Sequence, residues 1–293
     1  MNMTSLETFL AIVETGSLVR ASQKLHVTQS TITARLRTLE DELGQTLLNR
    51  NKSGTTLTPA GTKLLRYARI MMGLWRQARY ETNLPAGLES VCNFGCDREL
   101  WHFLGRAFLN GVIEGRPAFA VSAQQGNARD LEGWLAAGLV DVILTYESVA
   151  RGNQTTHALP AEELVLYSNR PNSPMRADPL YLYVDHGDEY RRQHDEFYHD
   201  AGIARLSFNS SWWALQYMLD YGGSAYLPRA LARPHIAAER LWPVEDAPIF
   251  LRKKYFIVND NAARNWDWFN PLIERLSASE TPMGYLAASM QKR

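Results

Sequence analysis

The sequence predicts an α+β multidomain protein, and three observations carry that expectation. Two short amphipathic helices stand almost back to back within residues 16–50. A longer helix opens at Thr58 and Pro59. Strand-like and helix-like segments then alternate over the rest of the chain, which implies a largely parallel sheet covered on both faces.

In chain order, Thr4 and Glu7 have the spacing of a capping box ahead of Leu6, Phe9, Leu10 and Val13, which share one helical face. Leu18, Ala21 and Leu25 form the next apolar stripe, and Ile32, Leu36, Leu39 and Leu43 another, at steps of four, three and four. Ser17 and Thr28 stand as N-caps, with His26, Val27 and Thr28 leaving a tight corner between the helices. That spacing is a helix-turn-helix, which lays its second helix in the DNA major groove. Opposite the second stripe lie Ser30, Ala34, Arg37 and Asp41, flanked by Thr33 and Thr38, with Gln29, Ser30 and Thr31 in the first turn. Gln pairs bidentately with adenine, Arg with guanine, and a Thr or Ala methyl meets a thymine methyl. An ordinary helical hairpin with a solvated polar face fits the same spacing.

Residues 47–57 carry Arg50, Lys52, Ser53, Gly54, Thr55 and Thr56, whose bases and hydroxyls suit phosphate contacts, or else a plain polar loop. Thr58 and Pro59 then read as N-cap and first residue of a long helix, because proline's missing amide costs nothing there. Leu64, Ala68, Met71 and Trp75 follow in near coiled-coil spacing, with Arg66, Arg69, Arg76 and Arg79 around them. Asn83, Leu84, Pro85 and Gly87 end this helix, placing a domain boundary near residue 86. Beyond it, strands are expected at 88–94, 119–122 and 140–145, and helices at 99–108 and 131–137.

Composition narrows the function. The 293 residues suffice for two or three compact units. Net charge is zero, yet residues 1–80 hold eleven basic residues against five acids, +6, leaving −6 for the remainder. A basic head on an acidic body suits a head that binds nucleic acid and a body that does not. The first nine residues have no basic n-region and no stretch is apolar enough to span a bilayer, so no signal peptide, no membrane and a cytoplasmic location are expected. Cys92 lies in an alternating run and reads as a small buried hydrophobe. Cys96, beside Arg98 at a strand end, has a setting that would lower a thiol pKa, but cysteines so close in sequence at a strand end need not have the Cα separation a disulfide requires, so redox chemistry is the lesser reading.

Residues 185–200 place His186, His194 and His199 among acids; without a short zinc spacing this reads as a solvated helix of mixed charge, not a metal site. No GxSxG elbow, P-loop or HExxH occurs, so neither an enzyme nor a cofactor is expected.

Leu6, Phe9, Ala21, Leu25, Gln29, Leu39, Glu40, Leu43, Gly44, Leu47, Arg50, Leu57, Thr58, Ala60 and Gly61, in this order, resemble the head of a LysR-type transcriptional regulator. Family members usually carry a proline and an arginine within the first turns of the recognition helix. Here the run is Thr28-Gln29-Ser30-Thr31-Ile32-Thr33-Ala34, which implies an operator of this protein's own. Residues 131–143 resemble the family's "L…L…G.LD…I" pattern, and 222–228 its "G…LP" ending. Residues 163–168 and 255–258 resemble the strands that cross between subdomains, and 269–276 the closing helix of the first.

The resemblance implies an N-terminal winged helix-turn-helix (1–58), a long linker helix that pairs subunits (59–86), and a C-terminal two-lobed α/β effector domain similar to periplasmic binding proteins (87–293). Lobe I would comprise 87–161 and 259–293, and lobe II 162–258. DNA contacts are expected from Gln29, Ser30, Thr31, Thr33, Ala34, Arg37, Arg50, Lys52 and Ser53. In such sheets ligands sit beyond the carboxyl ends of strands. That points to Asp97 and Arg98 beside Cys96, to Gln125, Gly126 and Asn127, to Tyr146 beside Thr145, and to Asn209 and Ser210 beside Ser211. Trp101, Trp212, Trp213 and Tyr226 are candidates to line an aromatic-tolerant pocket. Implied partners are a double-stranded operator, a small-molecule effector, a second copy or more in a homodimer or homotetramer, and RNA polymerase. The alternative is an α/β small-molecule binding protein or enzyme with an incidental helical N-terminus.

Overall fold

The computed structural model describes residues 2–51, 54–148, 151–176, 178–199 and 204–280. Its Cα positions group into two units, residues 1–90 with 137–139, and residues 91–136 with 140–293.

In the first unit, α1 (Met3–Thr15), α2 (Leu18–Lys24) and α3 (Gln29–Leu43) pack around Leu6, Phe9, Ile12, Ala21, Ile32, Leu36 and Leu39, all fully buried. The two expected caps form: Ser17 Oγ accepts from Arg20 N at 3.4 Å and Thr28 Oγ1 from Thr31 N at 3.2 Å. The corner between α2 and α3 is tight enough to hold His26 at φ 52°. The Thr4–Glu7 box does not form. Asn2 is the cap of α1 instead, accepting from Thr4 N at 3.0 Å, because the helix starts one residue before Thr4.

β1 (Leu48–Asn51) and β2 (Gly54–Leu57) pair antiparallel, Leu48 against Leu57 and Arg50 against Thr55. This hairpin is the expected wing. Lys52 and Ser53 lie outside the described residues. α4 (Pro59–Glu81) opens as expected, Thr58 Oγ1 accepting from Gly61 N at 3.0 Å. Its apolar seam, however, serves the chain itself: Ala68 is fully buried and Leu64 and Met71 pack against the head's core. Tyr67, Leu74, Trp75 and Tyr80 remain exposed on this helix.

The second unit runs β3 (Ser90–Asp97), a π-helical turn (Trp101–Gly105), α5 (Arg106–Gly115), β4 (Phe119–Gly126), α6 (Ala128–Ala136), β5 (Val142–Thr145) and β6 (Gln154–Ala158). The chain then crosses through β7 (Glu162–Ser168) into β8 (Tyr181–Val184), α7 (Asp188–Phe197), β9 (Leu206–Phe208), α8 (Ser211–Tyr221), β10 (Ser224–Pro228), α9 (Arg229–Ala237), β11 (Trp242–Pro243) and β12 (Phe250–Arg252). It returns in β13 (Tyr255–Asn259), followed by α10 (Asp260–Ala263) and α11 (Phe269–Glu280). One sheet has the order β4-β3-β5-β13-β6; the other runs β11-β7-β10-β8-β9, with β12 also on β7.

Both sheets are mixed rather than largely parallel. β3 pairs parallel with β5, and β8 with β10 and β9, but β13 and β7 run antiparallel to their neighbours. The reason is the double crossing: each lobe receives one strand from the other, entering against the local direction. β13 is bonded to β5 and β6 from Tyr255 onward, so the expected lobe boundary at 258 falls inside a first-lobe strand. The helix expected at 99–108 is a π-helical turn leading into α5. Gly105 permits it, since a Cβ there would stand 2.9 Å from Cys96 Sγ and 3.0 Å from the Trp101 ring.

Candidate DNA interface and ligand site

On α3, Gln29, Ser30, Ala34 and Arg37 are exposed, while Thr31 and Thr33 are half-buried on the flank. Thr28 Oγ1 lies 2.8 Å from both Ser30 Oγ and Thr31 Oγ1, so the first-turn hydroxyls are already oriented by the N-cap. Arg37 Nε is 3.7 Å from Asp41, with both side chains largely in solvent. Such a pair stabilises weakly and leaves the guanidinium free to turn toward a base. Glu40 Oε1 accepts from Leu47 N at 2.7 Å and Leu48 N at 3.4 Å, tying the end of α3 to the wing. Of Arg50 only the backbone, within β1, is described.

In the second unit, several strand-end candidates come together and others do not. Asp97 accepts from Glu99 N at 2.9 Å. Burial pushes its carboxyl above the usual range, while that amide and Arg252 pull it back. Tyr146 donates to Glu162 Oε2 at 3.0 Å, and the Arg252 guanidinium sits over its ring, 3.2 Å from the centroid. Burial, then the Glu162 charge, drive the Tyr146 hydroxyl upward, against the pull of Arg252. Arg252 Nη1 is buried without a hydrogen-bond partner. Asp97, Tyr146, Glu162 and Arg252 thus form one interacting group where the chain crosses between the lobes.

Ser210 and Ser211 begin α8, and Ser211 N donates to Glu99 Oε2 across the lobes at 2.8 Å. Asn209 and Arg98 are exposed. Gln125 and Gly126 prove to be residues of β4 and not of a loop. Gln125 lines a cavity of about 160 Å³ with Cys96, Trp101, Ala123 and Gln124. Gly126 and Asn127 are better explained by packing: a Cβ at Gly126 would stand 2.8 Å from Trp134, and Asn127 Oδ1 accepts from Asp130 N at 3.0 Å. Tyr226 is fully buried in β10, and Trp213 points largely to solvent.

The redox reading of Cys96 fails. Its side chain is 2% exposed, and burial, reinforced by Asp97, pushes the thiol up rather than down. Glu99, Glu162 and Arg252 were not singled out by sequence. Glu99 reads as a helix start, and Arg252 stands beside two further bases, Lys253 and Lys254, so neither carries a local signal.

The helix-turn-helix model of bacterial regulatory proteins of the lysR family matches residues 3–62, and the LysR substrate binding domain model matches residues 93–265. The chain belongs to the LysR family. Among curated relatives, HTH-type transcriptional regulator HdfR of Shigella boydii is 27% identical over 274 residues, covering 90% of this chain and 94% of that protein. HdfR of an Escherichia coli strain is 28% identical over 276 residues, with the same coverage. The LysR-family structure CbnR has a TM-score of 0.71 at 18% identity, over 94% of this chain and 99% of that one. Full-length CbnR complexed with its target DNA gives 0.72 at 19%, over 94% and 100%. At that identity the structural likeness speaks for the fold; the family models identify this LysR-family chain as a DNA-binding transcriptional regulator with a substrate-binding domain.

Proposed function

We propose that this LysR-family regulator reads its operator with Gln29, Ser30, Ala34 and Arg37, with Thr31 and Thr33 at the flank and Arg50, Lys52 and Ser53 on phosphates. A small molecule held between the lobes, beside Asp97, Tyr146, Arg252 and the start of α8, changes how the heads are presented. The carrying observation is the open polar face of α3, backed by Ile32, Leu36 and Leu39, which are fully buried, while Leu43 at the end of the stripe is exposed. Gln125, Gly126, Asn127, Arg98 and Asn209 stay at the periphery of this reading. We assign the cleft no catalysis, because the matching family models are those of a transcriptional regulator and its substrate-binding domain. The regulator acts in the cytoplasm.

Arg37→Ala tests the DNA face. A bidentate arginine–guanine pair contributes about 1–3 kcal/mol of discrimination, so specific operator affinity should fall about 10- to 100-fold at fixed salt. Non-specific affinity should change far less, and equal losses on both DNAs would remove Arg37 from base reading.

The heads act in pairs, as a homodimer or homotetramer. Tyr67, Leu74 and Trp75 of α4, between 37% and 52% exposed and within about 100° of one another around the helix, form the apolar surface that a second copy would cover. Leu74→Glu with Trp75→Glu should shift light-scattering mass to the monomer and weaken binding to a two-half-site operator. Unchanged mass would place the dimer contact elsewhere.

A further inference from the structure

Helix α8 lacks its own cap. Ser210, a good capping residue at the N-cap position, makes no side-chain capping bond, and Ser211 Oγ is buried without a partner. Both serines are 2% exposed. A helix start combines free amides with the positive end of the backbone dipole, so a dry one with an unpaired hydroxyl is a seat for an anion. The group in that seat is the Glu99 carboxylate, which accepts from Ser211 N at 2.8 Å. It arrives from the other lobe, on the loop after β3. The π-helical turn that follows adds two further contacts: His102 stacks on Trp212 with centroids 4.7 Å apart and planes 16° from parallel, and Phe103 packs against the second lobe's core.

We propose that Glu99 is a tethered surrogate ligand, seated at the start of α8 from the opposite lobe, so that a small carboxylate enters that seat only by displacing it. The inference rests on the reading that ligands bind between the lobes, and it assigns Glu99 the role of charge filter for that site. A charged carboxylate makes a stronger bond to a backbone amide than a neutral oxygen does. Its covalent tether also spares the cost of association that a free acid must meet. The wild type therefore disfavours simple carboxylates.

The test uses the full chain with acetate as probe and chloride at matched ionic strength as control. Calorimetric titration and the fluorescence of the tryptophans, Trp212 among them, read binding. Acetate should bind Glu99→Ala at least tenfold more tightly than wild type, with Glu99→Gln between them, because its neutral oxygen holds the seat less firmly. Equal acetate affinity in wild type, Gln and Ala variants overturns the proposal, and the Gln variant decides alone if the Ala variant fails to fold. Operator binding separates the two readings. If acetate binds Glu99→Ala tightly without altering operator affinity, Glu99 is the seat's occupant and the switching role of the cleft fails instead.

Discussion

Gly61→Ala is expected to cost the head about 3 kcal/mol and with it most operator binding. Gly61 lies in the first turn of α4 and is fully enclosed; a Cβ there would overlap the backbone oxygen of Leu47. A side chain at that point could rotate away, but a carbonyl cannot. Leu47 O is moreover held by Thr58 N at 3.0 Å, and Thr58 Oγ1, which donates to the neighbouring Thr46 O at 2.7 Å, caps the helix by accepting from Gly61 N at 3.0 Å. Alanine must push α4 off the strand that leads into the wing. The hairpin then loses its place relative to α3, to which Glu40 joins it. Urea unfolding followed by circular dichroism measures the stability, and titration with operator DNA measures the binding. Lys63→Ala, on the exposed side of the same helix, should leave stability almost unchanged. Wild-type stability in Gly61→Ala would show that α4 and β1 can separate freely.

The head was legible in the sequence because its determinants are local. Ser17, Thr28 and Thr58 each cap the amide three residues on, so residue type and spacing suffice to find them. The apolar stripe of α3 is equally local. The seam of α4 was visible but not its use: Leu64, Ala68 and Met71 share one face, and only the fold decides whether that face meets its own head or a second copy. The candidate ligand site was half legible for the same reason. Asp97, Tyr146 and Ser210 follow from the rule that ligands sit beyond strand ends. Glu99 acquires its meaning from a contact 112 residues away, and Arg252 from stacking on a ring far from it in sequence. Gln125 and Gly126 read as loop residues because β4 continues through polar residues at the sheet's edge, where alternation gives no signal.

The segment of 185–200 read as solvated holds the other large prediction, a loss of stability in mild acid. The charged residues of α7 do face water, but His186 and His194 are 3% and 8% exposed within a nest of tyrosines. His186 Nε2 is 2.9 Å from Tyr226 O, and a carbonyl only accepts, so Nε2 carries a proton in either charge state of the ring. Burial first, and the positive charge of Arg252 second, depress the His186 pKa to about 3, against smaller upward pulls from the Tyr226 bond and Asp185. An unfolded chain binds this proton below about pH 6.5, whereas the folded chain refuses it until about pH 3. Stability from the neutral ring is therefore complete above the unfolded pKa and falls as pH drops through that window. For this group alone the loss from pH 7.5 to 5.5 is about 1.4 kcal/mol, continuing at about 1.4 kcal/mol per unit below. His194, also depressed by burial, acts in the same direction. Asp97, whose raised pKa favours the folded state as acid is added, acts in the opposite one at lower pH. Comparing urea unfolding of wild type and His186→Gln at pH 7.5 and 5.5 isolates the term, since glutamine keeps a donor for Tyr226 O without a titrating ring. The wild type should lose about 1.4 kcal/mol more than the variant over that interval. Parallel losses would mean that the His186 ring takes up its proton inside the folded lobe, so the site would have to open to water without unfolding.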